Sequence, residues 1–134
     1  MKKLYGFGYQ GKNLMDLKAQ LEDIDATLID VRYRPFSKNP TWRKVNLQKS
    51  LGARYKHVEA LGNVNYKGGG ILLADEERGI QAVLAELQSR SVVLMCVCPD
   101  AFTCHRALIA DLLEARGVQV EELCPEPQTS LDLW

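Results

Sequence analysis

Apolar residues recur along this chain with two alternating periods, and the alternation predicts strands separated by helices. Lys3 to Phe7 reads as a short strand. Asn13 then stands where a helix cap belongs, ahead of Leu14, Leu17, Leu21 and Ile24 at helical spacing, and Leu28 to Arg32 follows as an apolar run that ends in charge. Beyond Pro35 and Pro40, Trp42 to Leu51 reads as a helix stopped by Gly52, and Arg54 to Val58 as a third strand. Residues 62–70 form a loop with Gly68, Gly69 and Gly70. Asp75 is placed to cap a helix carrying Ile80, Val83, Leu84 and Leu87, although Gly79 within it costs about 1 kcal/mol relative to alanine. Ser91 to Val97 is apolar on both faces. Thr103 to Arg116 is a helix with Gly117 at its stop, and Val118 to Leu123 is the last strand.

Strands alternating with helices, one of them apolar throughout, predict a three-layer α/β sandwich: a mostly parallel sheet of four or five strands with helices on both faces. The 134 residues suffice for one core. We therefore expect a single domain over 1–124 and a tail over 125–134. A composition of 46% hydrophobic and 25% charged residues excludes disordered, collagen-like and coiled-coil classes. The longest apolar run, Val92 to Cys98, is far shorter than the roughly 20 residues a bilayer requires, and no signal-type stretch follows Lys2 and Lys3. The expectation is a cytoplasmic protein without membrane contact. Its cysteines, Cys96, Cys98, Cys104 and Cys124, are then expected to be reduced.

Lys and Arg together number 17, as do Asp and Glu, so no net field draws the chain to polyanions. The distribution is uneven. Between Asp30 and Glu59 there is no acidic residue, while Arg32, Arg34, Lys38, Arg43, Lys44, Lys49, Arg54 and Lys56 fall there with His57, interleaved with Tyr33, Phe36, Trp42 and Tyr55. Cations mixed with flat rings suit phosphates and bases. A solvated helix face with ordinary core aromatics gives the same pattern.

In open parallel sheets, ligands bind outside the carboxyl ends of the strands. Asp30, Arg32 and Arg34 follow one strand; Cys96, Cys98, Cys104, His105 and Arg106 follow another. Cys104 falls at a helix start, where unpaired N–H groups favour a thiolate or a bound oxyanion, and His105 and Arg106 push the same way. The competing arrangement has Cys104 packed inward and Arg106 paired with Asp30 or Asp100. Three other patterns carry less. Gly6-Phe7-Gly8-Tyr9-Gln10-Gly11 fits a dinucleotide-binding spacing, but behind a very short strand and without a second mononucleotide-binding half. Cys96, Cys98, Cys104 and His105 do not have a usual zinc spacing, and no metal or other cofactor is expected. A phosphatase-type loop would need an arginine six residues after its cysteine, where Cys104 follows Cys98.

Gly8-Tyr9, Ile29-Asp30-Val31-Arg32 with Pro35 and Ser37, Tyr55-Lys56-His57 with Leu61-Gly62, Leu94-Met95-Cys96 and Cys104-His105-Arg106 together resemble the bacterial family called domain of unknown function 488. That resemblance implies a site built from Asp30, Arg32, Cys96, Cys104, His105 and Arg106, without a reaction. Cys98 stands where the family's pattern leads one to expect an acidic residue. A looser similarity to rhodanese-like domains implies sulfurtransfer through a cysteine persulfide, although the C-x-x-G-x-R cradle is missing. The tail Gln128-Thr129-Ser130-Leu131-Asp132-Leu133-Trp134 is similar to peptides that dock on the bacterial sliding clamp, with Gln128, Leu131, Leu133 and Trp134 as anchors.

The expectation is an anion pocket for a phosphate-bearing ligand, a nucleotide or nucleic acid, at the C-terminal edge of the sheet. Arg32, Arg34, Tyr9, Tyr55, His57 and Cys96 would bind, and Asp30 would orient the arginines. Cys104, as nucleophile, with His105 and Arg106 would carry any cysteine-dependent catalysis. A sulfurtransferase and a non-catalytic interaction module are the alternatives.

Overall fold

The computed structural model describes residues 3–9, 12–65, 70–96 and 105–122, with Arg106 described by its backbone alone. Five strands form one parallel sheet: β1 (Leu4–Gly8), β2 (Ala26–Asp30), β3 (Tyr55–His57), β4 (Ser91–Cys96) and β5 (Val120–Glu122), in the order β3-β2-β4-β1-β5. Helices α1 (Leu14–Asp23), α2 (Lys44–Leu51), α3 (Glu76–Leu87) and α4 (His105–Glu114) connect them. Because α1 and α2 carry the chain towards one edge and α3 and α4 carry it back, right-handed crossovers put the two pairs on opposite faces.

The side-chain alternation of the strands confirms the three layers. Ala26 and Leu28 of β2 and Val93 and Met95 of β4 join Leu17, Leu21, Leu47 and Leu51 in one cluster. Ile29, Val92, Leu94 and Cys96 join Ile80, Val83, Leu87, Ile109 and Leu113 in the other. β4, central and buried at all six positions, therefore had to be apolar on both sides. One buried polar residue on β2 is satisfied from the layer above. Thr27 donates to Glu86 Oε2 at 2.6 Å, and Lys56 Nζ donates to Glu86 Oε1 at 2.5 Å. Burial pulls the Glu86 carboxyl up, but the bonds from Lys56 and Thr27 outweigh it and hold the carboxyl below its ordinary value.

The punctuation read from sequence works as expected at several ends. Asn13 Oδ1 accepts from the Met15 and Asp16 amides, and Asp75 from Arg78. Gly52 and Gly117 end α2 and α4 at φ of 56° and 87°. The expected helix from Trp42 to Leu51 is instead two pieces. Asn39 caps a 3-10 turn over Pro40–Trp42, and α2 starts afresh at Lys44, because Arg43 is extended (φ −81°, ψ 147°). The break lets Trp42 bury against Phe7 and Tyr9. Gly6 and Gly8 are ladder residues of β1, paired with Leu94 and Cys96, so they do not make the phosphate turn that a dinucleotide site would require.

Gly79 has a packing reason. A Cβ there would lie 2.5 Å from the Leu61 side chain, so its absence lets α3 settle on the 3-10 turn after β3. Gly62 is tighter still, since its Cβ would lie 2.3 Å from Tyr33 Cα. The segment leaving β2 and the turn leaving β3 are thus pressed backbone to backbone. No helix among the described residues is long and apolar enough to cross a membrane.

Candidate functional site

The C-terminal ends of β2, β3 and β4 lie side by side, and the residues just past them meet. Asp30 closes β2 fully buried, on the face of Ala26 and Leu28. Its Oδ1 accepts from Arg32 Nε at 2.8 Å and from the Arg32 amide at 3.1 Å, and its Oδ2 accepts from Arg32 Nη2 at 2.6 Å. One carboxylate thereby turns the backbone out of the strand and holds the guanidinium in a two-pronged pair. Tyr55, level with Leu28 across the β2–β3 ladder, donates its hydroxyl to Oδ2 at 2.6 Å. On the far side, Arg32 Nη1 reaches Tyr9 Oη at 3.4 Å and the Phe36 carbonyl at 3.5 Å, with its Cζ 5.2 Å from the Tyr9 ring centre. Tyr9 in turn stacks on Trp42 at 5.0 Å.

Arg32 is only 6% exposed, so this network is desolvated. Burial pulls its pKa down, but hydrogen bonding and charge from Asp30 more than compensate, and the guanidinium is held charged. The Tyr55 hydroxyl goes the other way. Burial and the adjacent Asp30 carboxylate push it well above the ordinary tyrosine value, keeping it a donor.

The two histidines of the chain grip this segment from opposite sides. His57 Nε2 lies 2.7 Å from the Arg32 carbonyl, and His105 Nε2 lies 2.8 Å from the Val31 carbonyl. A carbonyl can only accept, so both rings carry their proton on Nε2. Successive carbonyls of an extended chain point to opposite sides, which is why one ring comes from β3 and the other from α4. The sequence-predicted meeting of the Asp-Val-Arg segment with His105 is thus a direct contact across 74 residues.

Beside this frame lies an open cleft of about 610 Å³. Arg34, Lys44 and His57 line it with Tyr33, Pro35 and Phe36, and Glu59 contributes a carboxylate. The basic segment sorts itself around the cleft. Arg32 pairs with Asp30, Arg54 with Asp25 and Lys56 with Glu86, and Arg43 lies over the Phe36 ring while its Nε donates to the Ser37 carbonyl at 2.9 Å. Arg34 and Lys44 make no salt bridge among the described residues. Lys44, Phe36 and Glu59 were not singled out from sequence as binding residues. The signal available was the run of cations and rings from Tyr33 to Lys44, which periodicity could not divide into packed and open positions.

Residues 12–68 match the family model described as Domain of unknown function DUF488. The resemblance to DUF488 holds over this stretch. It carries Asp30, Arg32, Tyr55 and His57, together with every described residue lining the cleft, and stops short of Cys96 and His105. No curated protein matches the chain.

Cys96 is buried at the end of β4, and it is disulfide-bonded, not reduced as expected. A cysteine at a strand end can pair covalently as readily as it can stay a thiol, and sequence composition does not separate the two. Cys104, the candidate nucleophile, the Arg106 side chain and the tail residues Gln128, Leu131, Leu133 and Trp134 lie outside the described residues, as does Cys98. Among the described residues no group of three His, Cys, Asp or Glu side chains could hold a metal ion.

Proposed function

We propose that the cleft beside the Asp30–Arg32 pair binds a phosphate-bearing ligand. The observation that carries this reading is the pair of cations with no salt-bridging carboxylate among the described residues, Arg34 and Lys44, lining one cleft with His57 at the C-terminal edge of a parallel sheet. Asp30 and Arg32 are then positioning residues. Their buried pair fixes the backbone from which Tyr33 and Arg34 project, whereas Arg34 and Lys44 meet the anion and His57 offers its other ring nitrogen. This division differs from a site in which Arg32 itself touches the ligand, because each of its guanidinium nitrogens already has a partner within the frame.

Calorimetric titration with inorganic pyrophosphate at low ionic strength tests the reading. Binding should weaken as salt rises and should drop by at least about tenfold in Arg34→Ala, for loss of a charge-assisted contact. No heat with pyrophosphate at low salt would remove the proposal. Docking of the tail on a sliding clamp is a separate proposal, resting on Gln128, Leu131, Leu133 and Trp134 alone. Deleting 128–134 should abolish co-elution with purified clamp, and unchanged co-elution would refute it.

A further inference from the structure

Resting on the phosphate reading of the cleft, we infer that its ligand is a nucleotide, with Phe36 as the platform on which the base stacks. Phe36 is 62% exposed although it is a large apolar side chain beside a cleft. Its backbone is nevertheless fixed. The Phe36 amide donates to the Arg34 carbonyl at 2.8 Å, and its carbonyl accepts from the buried Arg32 at 3.5 Å. The ring is also held, with the Arg43 guanidinium 4.7 Å from its centre and itself tethered to the Ser37 carbonyl. An aromatic ring buttressed by a cation yet largely exposed is ready to stack without first being ordered, which spares the entropy that a loose side chain would lose.

The neighbours fit a nucleotide better than a bare phosphate or a sugar phosphate. Arg34 and Lys44 supply the charge for the phosphate, and Glu59 supplies an acceptor that would repel an anion but suits ribose hydroxyls or a base N–H. Inorganic phosphate has no use for Phe36 or Glu59. Ribose 5-phosphate has no use for Phe36. Only a ligand with a flat base, hydroxyls and a phosphate engages all of them.

The experiment compares adenosine 5′-monophosphate, uridine 5′-monophosphate, ribose 5-phosphate and pyrophosphate by titration of the full chain. Both nucleotides should bind about tenfold or more tightly than ribose 5-phosphate, and the base protons should shift upfield in NMR spectra as they enter the ring current. Phe36→Ala should lower the ratio of nucleotide affinity to pyrophosphate affinity by about tenfold, and Phe36→Trp should keep it. Since Phe36 is exposed, thermal melts of both variants should match the parent. A trinucleotide alongside tells the source: equal or tighter binding than the mononucleotide both support stacking, the first indicating free nucleotide and the second a single strand. Pyrophosphate binding with no preference for nucleotides over ribose 5-phosphate, or a preference that survives Phe36→Ala, would overturn the inference alone. Failure of every phosphate probe would overturn the phosphate reading with it.

Discussion

The two faces of the sheet are built from different materials. The face covered by α3 and α4 is almost wholly aliphatic, with Ile29, Leu94, Ile80, Val83 and Ile109 among its members. The face covered by α1 and α2 is rich in rings, Phe7, Tyr9, Trp42 and Tyr55, and at its C-terminal rim it holds the one ion pair of the described residues with both partners buried. An aliphatic layer asks only for volume and shape. A layer holding Asp30 and Arg32 asks for named partners, since an unpaired charge there costs far more than a missing methyl. Stability is shared by both faces; the charged network that orients the cleft sits on one, and His105 of α4 braces Val31 from the other.

Removing Asp30 is the severest way to test that contrast. Asp30→Ala leaves the Arg32 guanidinium buried without its carboxylate and should cost about 3–5 kcal/mol in urea unfolding. A loss below about 1 kcal/mol would mean the pair is wetter than its burial indicates. On the other face, Leu94→Ala should cost about 2–5 kcal/mol through transfer and cavity terms while leaving pyrophosphate affinity intact wherever the variant is folded. Weakened binding by folded Leu94→Ala would break the separation of roles.

Tyr55→Phe sharpens the comparison by deleting one hydroxyl and little volume. Its bond to a charged acceptor is worth about 1.5–3 kcal/mol. The pH dependence has a definite sign. Because the folded-state pKa of Tyr55 is raised, its contribution is complete below the unfolded phenol value of about 10 and is lost as pH rises towards the folded value. Tyr55→Phe should therefore lose stability less steeply than the parent above about pH 10.

Gly79→Ala should destabilise by about 1–3 kcal/mol by overpacking against Leu61, against the gain of about 1 kcal/mol that helix propensity alone would bring. Smallest of all is Asp25→Asn, which tolerates the positive φ of 52° and removes the exposed carboxylate that faces Arg54 at 3.0 Å and Arg90 at 3.8 Å. Its cost should be about 0.2–1 kcal/mol and should vanish in high salt.

Much of this architecture could be read from the order of residues. The apolar run of β4 from Val92 to Cys96, the caps at Asn13 and Asp75 and the stops at Gly52 and Gly117 are local signals, and each falls where it was expected. Asp30, Arg32 and His105 were also legible as a group, because strand ends in a parallel sheet share one edge. What stayed hidden depends on distant partners. Nothing near Gly79 announces Leu61, nothing near Arg43 tells that the helix must break so that Trp42 can reach Tyr9, and nothing in the basic run separates the neutralised Arg54 and Lys56 from the open Arg34 and Lys44.

The strand order has a consequence for how the protein comes into being on the ribosome. β1 and β2 are consecutive, yet β4 separates them in the sheet, so the first half of the polypeptide emerges with a gap where the middle strand must go. Tyr9 and Arg32, one from each side of that gap, acquire their native spacing only after residues 91–96 have left the exit tunnel and slotted in. Until then the facing edges of β1 and β2 wait unpaired, and nascent chains stalled before Ser91 should be the ones that chaperones hold longest.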